Sequence, residues 1–290
     1  MPMTAARFRT LLLAWFTEAR RPLGWRATHD PYAILVSEIM LQQTQAARVE
    51  PAWRAFLARF PTVAELARAP TAAVVAAWEG LGYNRRAVNL HRSARRIVAV
   101  HDGRVPDDLA ALCALPGVGA YTARAVLAFA FGHAAAPVDT NVARVLTRAV
   151  AGQPLTRAPA QALADSLVPP ARPAEWSSAL MDLGARVCTA RSPRCDRCPV
   201  VRACAWQERG GPDPAAASAG RPRPQGRFVG SNRYHRGRLV GALRAGTVAG
   251  DELGAAAGLD DPQGARRLAD GLVADGLAEW DGERLRLPEA

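Results

Sequence analysis

Leu115-Pro116-Gly117-Val118-Gly119-Ala120-Tyr121-Thr122 joins two apolar helical patterns, and the rest of the chain is arranged around it. A proline and two glycines within four residues force a tight helix–turn–helix hairpin. Small residues leave the backbone N–H groups at the start of the second helix uncovered, and such groups attract phosphate. An ordinary helix–helix turn has the same local sequence. The anion-binding reading gains weight from the chain's net charge of +11 and from a cysteine loop further on.

Working outward, the pattern is helical almost everywhere, and the predicted fold class is mainly α. Apolar spacing predicts helices over 7–20, 32–46, 51–59, 62–68, 71–79 and 84–101. Asp30-Pro31 is a helix start, with Asp as cap and Pro in the first turn. Pro61, Pro70 and Gly80-Leu81-Gly82 punctuate the series. Beyond the hairpin, helices are predicted over 120–131, 140–150 and 174–187, the last delivering the chain to Cys188. The predicted domains are 1–208, a linker over 209–227 rich in Pro, Gly and Ala, and a small module over 228–290. In that module three helical patterns precede a turn at Asp281-Gly282, which suggests a winged helix.

Composition narrows the chemistry. All 37 basic residues are arginine, so no side-chain amine exists to form a Schiff base. Arginine- and alanine-rich chains also arise from GC-rich coding, but the chemical consequence is the same. The apolar runs are too short to span a membrane, and the N-terminus lacks the pattern of a secretory signal. A cytoplasmic, nucleoid-associated monomer with no membrane partner is expected.

Four of the five cysteines form the run Cys188-x6-Cys195-x2-Cys198-x5-Cys204. A structural zinc ion and a 4Fe–4S cluster both suit four thiolates on a short loop, and spacing alone does not choose between them. Cys113 lies in an apolar helical pattern and is expected to be buried packing.

The hairpin, then Pro137-Val138-Asp139-Thr140-Asn141-Val142-Ala143-Arg144, then the cysteine loop, resemble in that order the endonuclease III/MutY superfamily of helix-hairpin-helix base-excision glycosylases. The resemblance covers roughly residues 7–205. It implies a glycosylase fold of two helical lobes and a 4Fe–4S cluster on Cys188, Cys195, Cys198 and Cys204. It further implies that Arg191, Arg194, Arg197 and Arg202 face DNA. Ser37-Glu38-Ile39-Met40-Leu41-Gln42-Gln43-Thr44-Gln45 is similar to the catalytic segment of the MutY-type adenine glycosylases. Leu23-Gly24-Trp25-Arg26 and Gly80-Leu81-Gly82-Tyr83 also match that subfamily. Tyr121 stands where endonuclease III-type lyases carry their lysine.

On this resemblance the substrate is duplex DNA holding adenine opposite 8-oxoguanine or guanine, and removal is monofunctional. Glu38 is the expected general acid, Asp139 the partner carboxylate, and Tyr121 a hydroxyl near the same centre. Without the resemblance, Glu38 reads as a helix-surface charge, Asp139 as an N-cap and Tyr121 as a core aromatic. Arg26 is expected in the base pocket, and Gln43 and Tyr83 beside the opposite base. Gly117, Gly119 and Thr122 are expected on the DNA backbone. Arg85, Arg86, Arg92, Arg95 and Arg96 are candidate phosphate contacts, or simply a solvated helix face.

Three departures from the subfamily stand out. Asn84 replaces an aromatic, Ser178 replaces a pocket Glu or Gln, and the C-terminal module is too short for a Nudix-like domain. In that module Arg236, Arg238, Arg266 and Arg267 could add phosphate contacts. A thymine or uracil mismatch glycosylase and a noncatalytic DNA-binding iron–sulfur protein are the alternative functions.

Overall fold

The computed structural model describes residues 3–221 and 226–289. Among these residues the chain is mainly helical, with one small sheet. In chain order the helices are α1 (Met3–Ala19), α2 (Pro31–Leu41), α3 (Ala46–Arg59), α4 (Val63–Arg68), α5 (Thr71–Ala77), α6 (Arg85–Val100), α7 (Leu109–Cys113) and α8 (Ala120–Phe129). There follow α9 (Thr140–Val145), α10 (Arg157–Leu167), α11 (Pro173–Arg186), α12 (Ala205–Arg209), α13 (Asn232–Ala245), α14 (Leu253–Ala257) and α15 (Pro262–Ala274). Two compact units result. One holds residues 3–34, 107–109 and 119–221; the other holds 35–106, 110–118 and 226–289.

In the first unit, α1 lays Phe8, Leu12 and Phe16 into a core shared with Trp176, Leu180 and Leu183 of α11. Phe8 meets Trp176 edge to face at 5.9 Å. α9 and α11 approach closely because position 184 is glycine. A Cβ there would fall 2.7 Å from the Asn141 Cβ and 2.9 Å from its carbonyl oxygen. The helix predicted over 140–150 changes character at Val145, where a π-helical turn, Leu146–Ala151, takes over until Gly152. α10 was not anticipated. Within the expected linker, residues 214–217 form a 3-10 turn with Pro214 and Ala215 buried, so this stretch packs onto the unit.

In the second unit, Phe56 meets Phe60 and Trp78 edge to face, and α4 packs on α6. α2 stops at Leu41, five residues before its predicted end, because Gln43 turns into the left-handed region at φ 59°. The C-terminal residues form helix, strand, two helices and two strands. The strands β1 (Val248–Ala249), β2 (Glu279–Asp281) and β3 (Arg284–Arg286) form an antiparallel sheet in the order β1-β3-β2. This is a winged-helix arrangement, with one more short strand than the sequence suggested. It does not keep a core to itself: Leu239, Val240, Leu243 and Leu272 pack with Val75 of α5 and Val88 of α6. Arg244 donates to the Val75 carbonyl at 3.0 Å and to Asn84 Oδ1 at 3.1 Å.

Gly184→Ala should loosen the α9–α11 contact. Urea titration is expected to show a loss of about 1–3 kcal/mol, the usual range for overpacking a tight core.

Candidate active site

The hairpin spans residues 114–119, with Val118 N–H closing onto the Leu115 carbonyl at 3.1 Å. Gly117 has φ 77°, and a Cβ there would collide with the Asn89 Cβ at 2.8 Å, so glycine is required on two counts. Ser93 of α6 donates to the Pro116 carbonyl at 2.7 Å. Gly117 and Gly119 are exposed, and Gly119 caps α8 in extended conformation. Thr122 is buried. Leu112 takes the buried side of α7, leaving Cys113 exposed rather than packed in the core.

Glu38 sits on α2 among Ile34, Leu35, Val36, Ile39 and Met40, only 4% exposed. Asp139 and Tyr121 belong to the other unit. Asp139 caps α9: its Oδ1 accepts the Val142 N–H at 2.7 Å, and its Oδ2 accepts from Asn141 Nδ2 at 2.8 Å. Tyr121 is half-buried in the first turn of α8. Arg26 is gripped by Asp182, a fully buried carboxylate on α11, through bonds of 2.8 and 2.9 Å. Arg21 adds a third at 2.7 Å. Burial alone would push the Asp182 carboxyl up, but Arg26 and Arg21 hold it below the ordinary carboxylate range. Asp182 was invisible in the sequence because its partners lie over 150 residues away.

Gln43 and Tyr83 both take left-handed backbone conformations, φ 59° and 46°, which cost non-glycine residues of order 1 kcal/mol each. Both are exposed. The turns that carry them are fixed by one side chain. Arg86 lies buried between them and donates to the carbonyls of Ile39, Met40, Gln42, Leu81, Gly82 and Tyr83 and to Thr44 Oγ1. Its guanidinium also packs over the Trp78 and Tyr83 rings at 5.5 and 5.6 Å. Burial lowers its pKa from 12.5 to about 10. Arg86 therefore fixes loops and is no candidate for phosphate, whereas Arg85, Arg92, Arg95 and Arg96 are exposed.

The cysteine loop hangs on two further buried arginines. Arg144 donates to the Cys188 carbonyl at 2.8 Å, the Gly184 carbonyl at 2.8 Å and Asn141 Oδ1 at 2.6 Å. A continuous chain of hydrogen bonds thus runs from Asp139 through Asn141 and Arg144 to Cys188. Arg148 pairs with Asp213 at 2.6 Å, donates to the Thr189 carbonyl at 2.7 Å and packs over Trp206 at 5.3 Å. Its Nη1 also donates to Cys188 Sγ at 3.5 Å, and the π-turn lets its carbonyl accept from Cys204 Sγ at 3.6 Å. All four cysteines line one cavity with Arg148, Leu183 and Trp206. Arg191, Arg194, Arg197 and Arg202 are exposed around it.

The donor set is all thiol, and burial pushes the Cys198 thiol up to about 12. Thiolates gathered here therefore need a bound polycation to compensate them. Four cysteine sulfurs around one shared cavity suit a metal centre held by thiolates alone.

Residues 36–170 match the HhH-GPD superfamily of base excision DNA repair proteins. The adenine DNA glycosylase of Mycolicibacterium smegmatis is 46% identical over 92% of this chain and 91% of its own. The chain belongs to the adenine DNA glycosylases. The Mycobacterium tuberculosis enzyme of that name is 47% identical, covering 92% of this chain and 89% of its own. Among solved structures, a thermostable thymine-DNA glycosylase is 31% identical, with a TM-score of 0.66 over 71% of this chain and 98% of that one. As a member of this glycosylase family, the chain is a DNA glycosylase of base excision repair.

Replacing Arg86 tests how far these glycosylase turns depend on it. Arg86→Met strands several buried carbonyls and is expected to lower stability by about 3 kcal/mol or more by urea titration. Arg86→Lys should restore little, because an ammonium cannot span both turns.

Proposed function

We propose that this protein hydrolyses the N-glycosidic bond of adenine mispaired with 8-oxoguanine or guanine in duplex DNA, as a monomer and without cutting the strand. The observation that carries the reading is Glu38: a carboxyl buried in an apolar helix within a segment like that of adenine glycosylases. Adenine is a poor leaving group, and a protonated carboxyl at its N7 lets it depart neutral. The target base leaves the helix stack first. Positive charge then develops at the sugar, where Asp139 stabilises it; water adds at C1′, gives its proton to the carboxylate that Glu38 has become, and leaves an abasic site. Asn141 and the Val142 N–H aim the Asp139 carboxylate. In this reading Tyr121 supplies its hydroxyl to the reaction, and Arg26, held by Asp182, contacts the base. Gln43 and Tyr83 fill the space beside the opposite base, while the exposed Gly117 and Gly119 meet the DNA backbone; the burial of Thr122 keeps its side chain from that role. The lack of lysine supports the monofunctional mode.

Cys188, Cys195, Cys198 and Cys204 hold a 4Fe–4S cluster in this reading. When bound, the cluster cross-links the loop that presents Arg191, Arg194, Arg197 and Arg202. About four irons and four acid-labile sulfides per chain are expected, and Cys198→Ser should lose both.

Glu38→Gln is expected to abolish excision from A:8-oxoguanine while binding to the same duplex persists. Asp139→Asn separates cap from catalyst: asparagine caps helices as well as aspartate does, so the melting temperature should hold while excision falls by about 100-fold or more. A panel of A:8-oxoguanine, A:G, T:G and U:G duplexes reads the released base directly. Release of thymine or uracil instead of adenine would replace this reading with the mismatch activity that the thymine-DNA glycosylase likeness favours.

A further inference from the structure

Arg148 is 1% exposed and directs its whole guanidinium at two stretches of chain. Nη1 donates to Cys188 Sγ at 3.5 Å and to the Thr189 carbonyl at 2.7 Å, and Nη2 to the Ala190 carbonyl at 3.2 Å. Nε and Nη2 also take the two carboxylate oxygens of Asp213, at 2.9 and 2.6 Å. One side chain thus holds both the cysteine loop and the residues that follow it. Further contacts pin that second stretch along its length. Arg209 donates to the Gly152 carbonyl at 2.9 Å, and a Cβ on Gly152 would lie 3.1 Å from the Ala205 Cβ. The Ala219 N–H donates to the Leu155 carbonyl at 2.9 Å. A Cβ on Gly220 would fall 2.5 Å from the Arg144 Cα, so only glycine fits at that closing point. Residues 205–220 therefore form a fitted strap. From it Trp206 and Gln207 reach the cavity that the four cysteines line, and Gln207 Nε2 donates to Cys195 Sγ at 3.7 Å.

Between Cys188 and Cys204 only Val200 and Ala203 are buried, too little apolar surface to hold the loop in one shape. A metal centre gathered by the four thiolates supplies the missing constraint. Arg148 and Gln207 find their sulfurs and carbonyls in place only while the loop is closed around it. We infer that residues 205–220 are a metal-dependent strap, which docks when the four cysteines hold their metal centre and, once docked, slows escape of the metal. The inference rests on the reading of these cysteines as metal ligands. Linkage makes the effect reciprocal: a centre that favours docking is favoured by docking to the same extent. Arg148 and Gln207 act as positioning residues, since donors to ligand sulfurs offset the negative charge collected there. Trp206 takes up wall that water would otherwise occupy.

Hydrogen exchange on the full chain, read by mass spectrometry of peptides spanning 205–220, tests docking. Metal-loaded protein is compared with protein stripped by 1,10-phenanthroline and kept reduced. Exchange in the strap is expected to rise about 10-fold or more on stripping, while α1 keeps its protection. Equal strap exchange with and without metal overturns the inference, and so does an equal loss in α1, which would mean general unfolding. A second arm reads escape of the metal. Asp213→Asn and Gln207→Leu each remove one tie, and transfer of iron from the loaded variants to phenanthroline should run about 10-fold faster than from the unaltered protein. Glu208→Gln, at an exposed position of α12, should match the unaltered protein. Equal rates in all of them count against the strap. Gln207 is exposed, so its variant carries this arm if Asp213→Asn fails to fold. Metal content of the unaltered protein separates the two readings. Zinc in place of iron and sulfide defeats only the 4Fe–4S assignment, and equal exchange in a loaded protein defeats only the strap.

Discussion

One buried guanidinium organises the second unit. Arg86 closes the end of α2 by taking the carbonyls of Ile39 and Met40, which a terminating helix leaves without partners. The same fork reaches Leu81, Gly82 and Tyr83. Two turns that hold strained residues therefore share one anchor, and neither can relax alone. The anchor itself grows from α6, which also presses Asn89 against Gly117, ties Ser93 to Pro116 and offers Val88 to the C-terminal module. Hairpin, turns and module all take their positions from this helix.

The first unit repeats the device. Arg144 and Arg148 spend their donors on carbonyls of the cysteine loop, and Asp182 collects Arg26 and Arg21. A buried charge is tolerable only when its hydrogen-bonding capacity is filled, and a planar five-donor group fills it against many scattered carbonyls better than an ammonium could. In Arg144 the arrangement has a further effect. The residue that steadies Cys188 also steadies Asn141, and Asn141 aims Asp139. Cysteine loop and proposed catalytic carboxylate belong to one hydrogen-bonded assembly.

What could be read from the sequence was local. The hairpin glycine, the cap at Asp139, the four-cysteine spacing and the Asp281-Gly282 turn each lie within a few residues of what they determine. Arg86, Arg148, Asp182 and Arg244 act on partners from tens to more than 150 residues away, and in a chain with 37 arginines the residue type alone marks none of them. Asn84 looked like a loss, an aromatic gone from its usual place. Its side chain accepts from Arg244, so the departure is part of how the C-terminal module is attached. The stretch before that module read as a linker from composition, yet Asp213 pairs with Arg148 and the Gly220 carbonyl accepts from Arg144. Cys113 misled because a five-residue helix has too little buried face to cover it.

The reliance on arginine also fixes the acidity range over which these loops keep their shape. Desolvation takes Arg86 down only to about 10, so it stays charged throughout the neutral range. A lysine starts near 10.4, and the same penalty would bring it to roughly 8, where a modest rise in alkalinity discharges it. With guanidinium at the centre, the geometry of these turns does not titrate under ordinary cellular conditions.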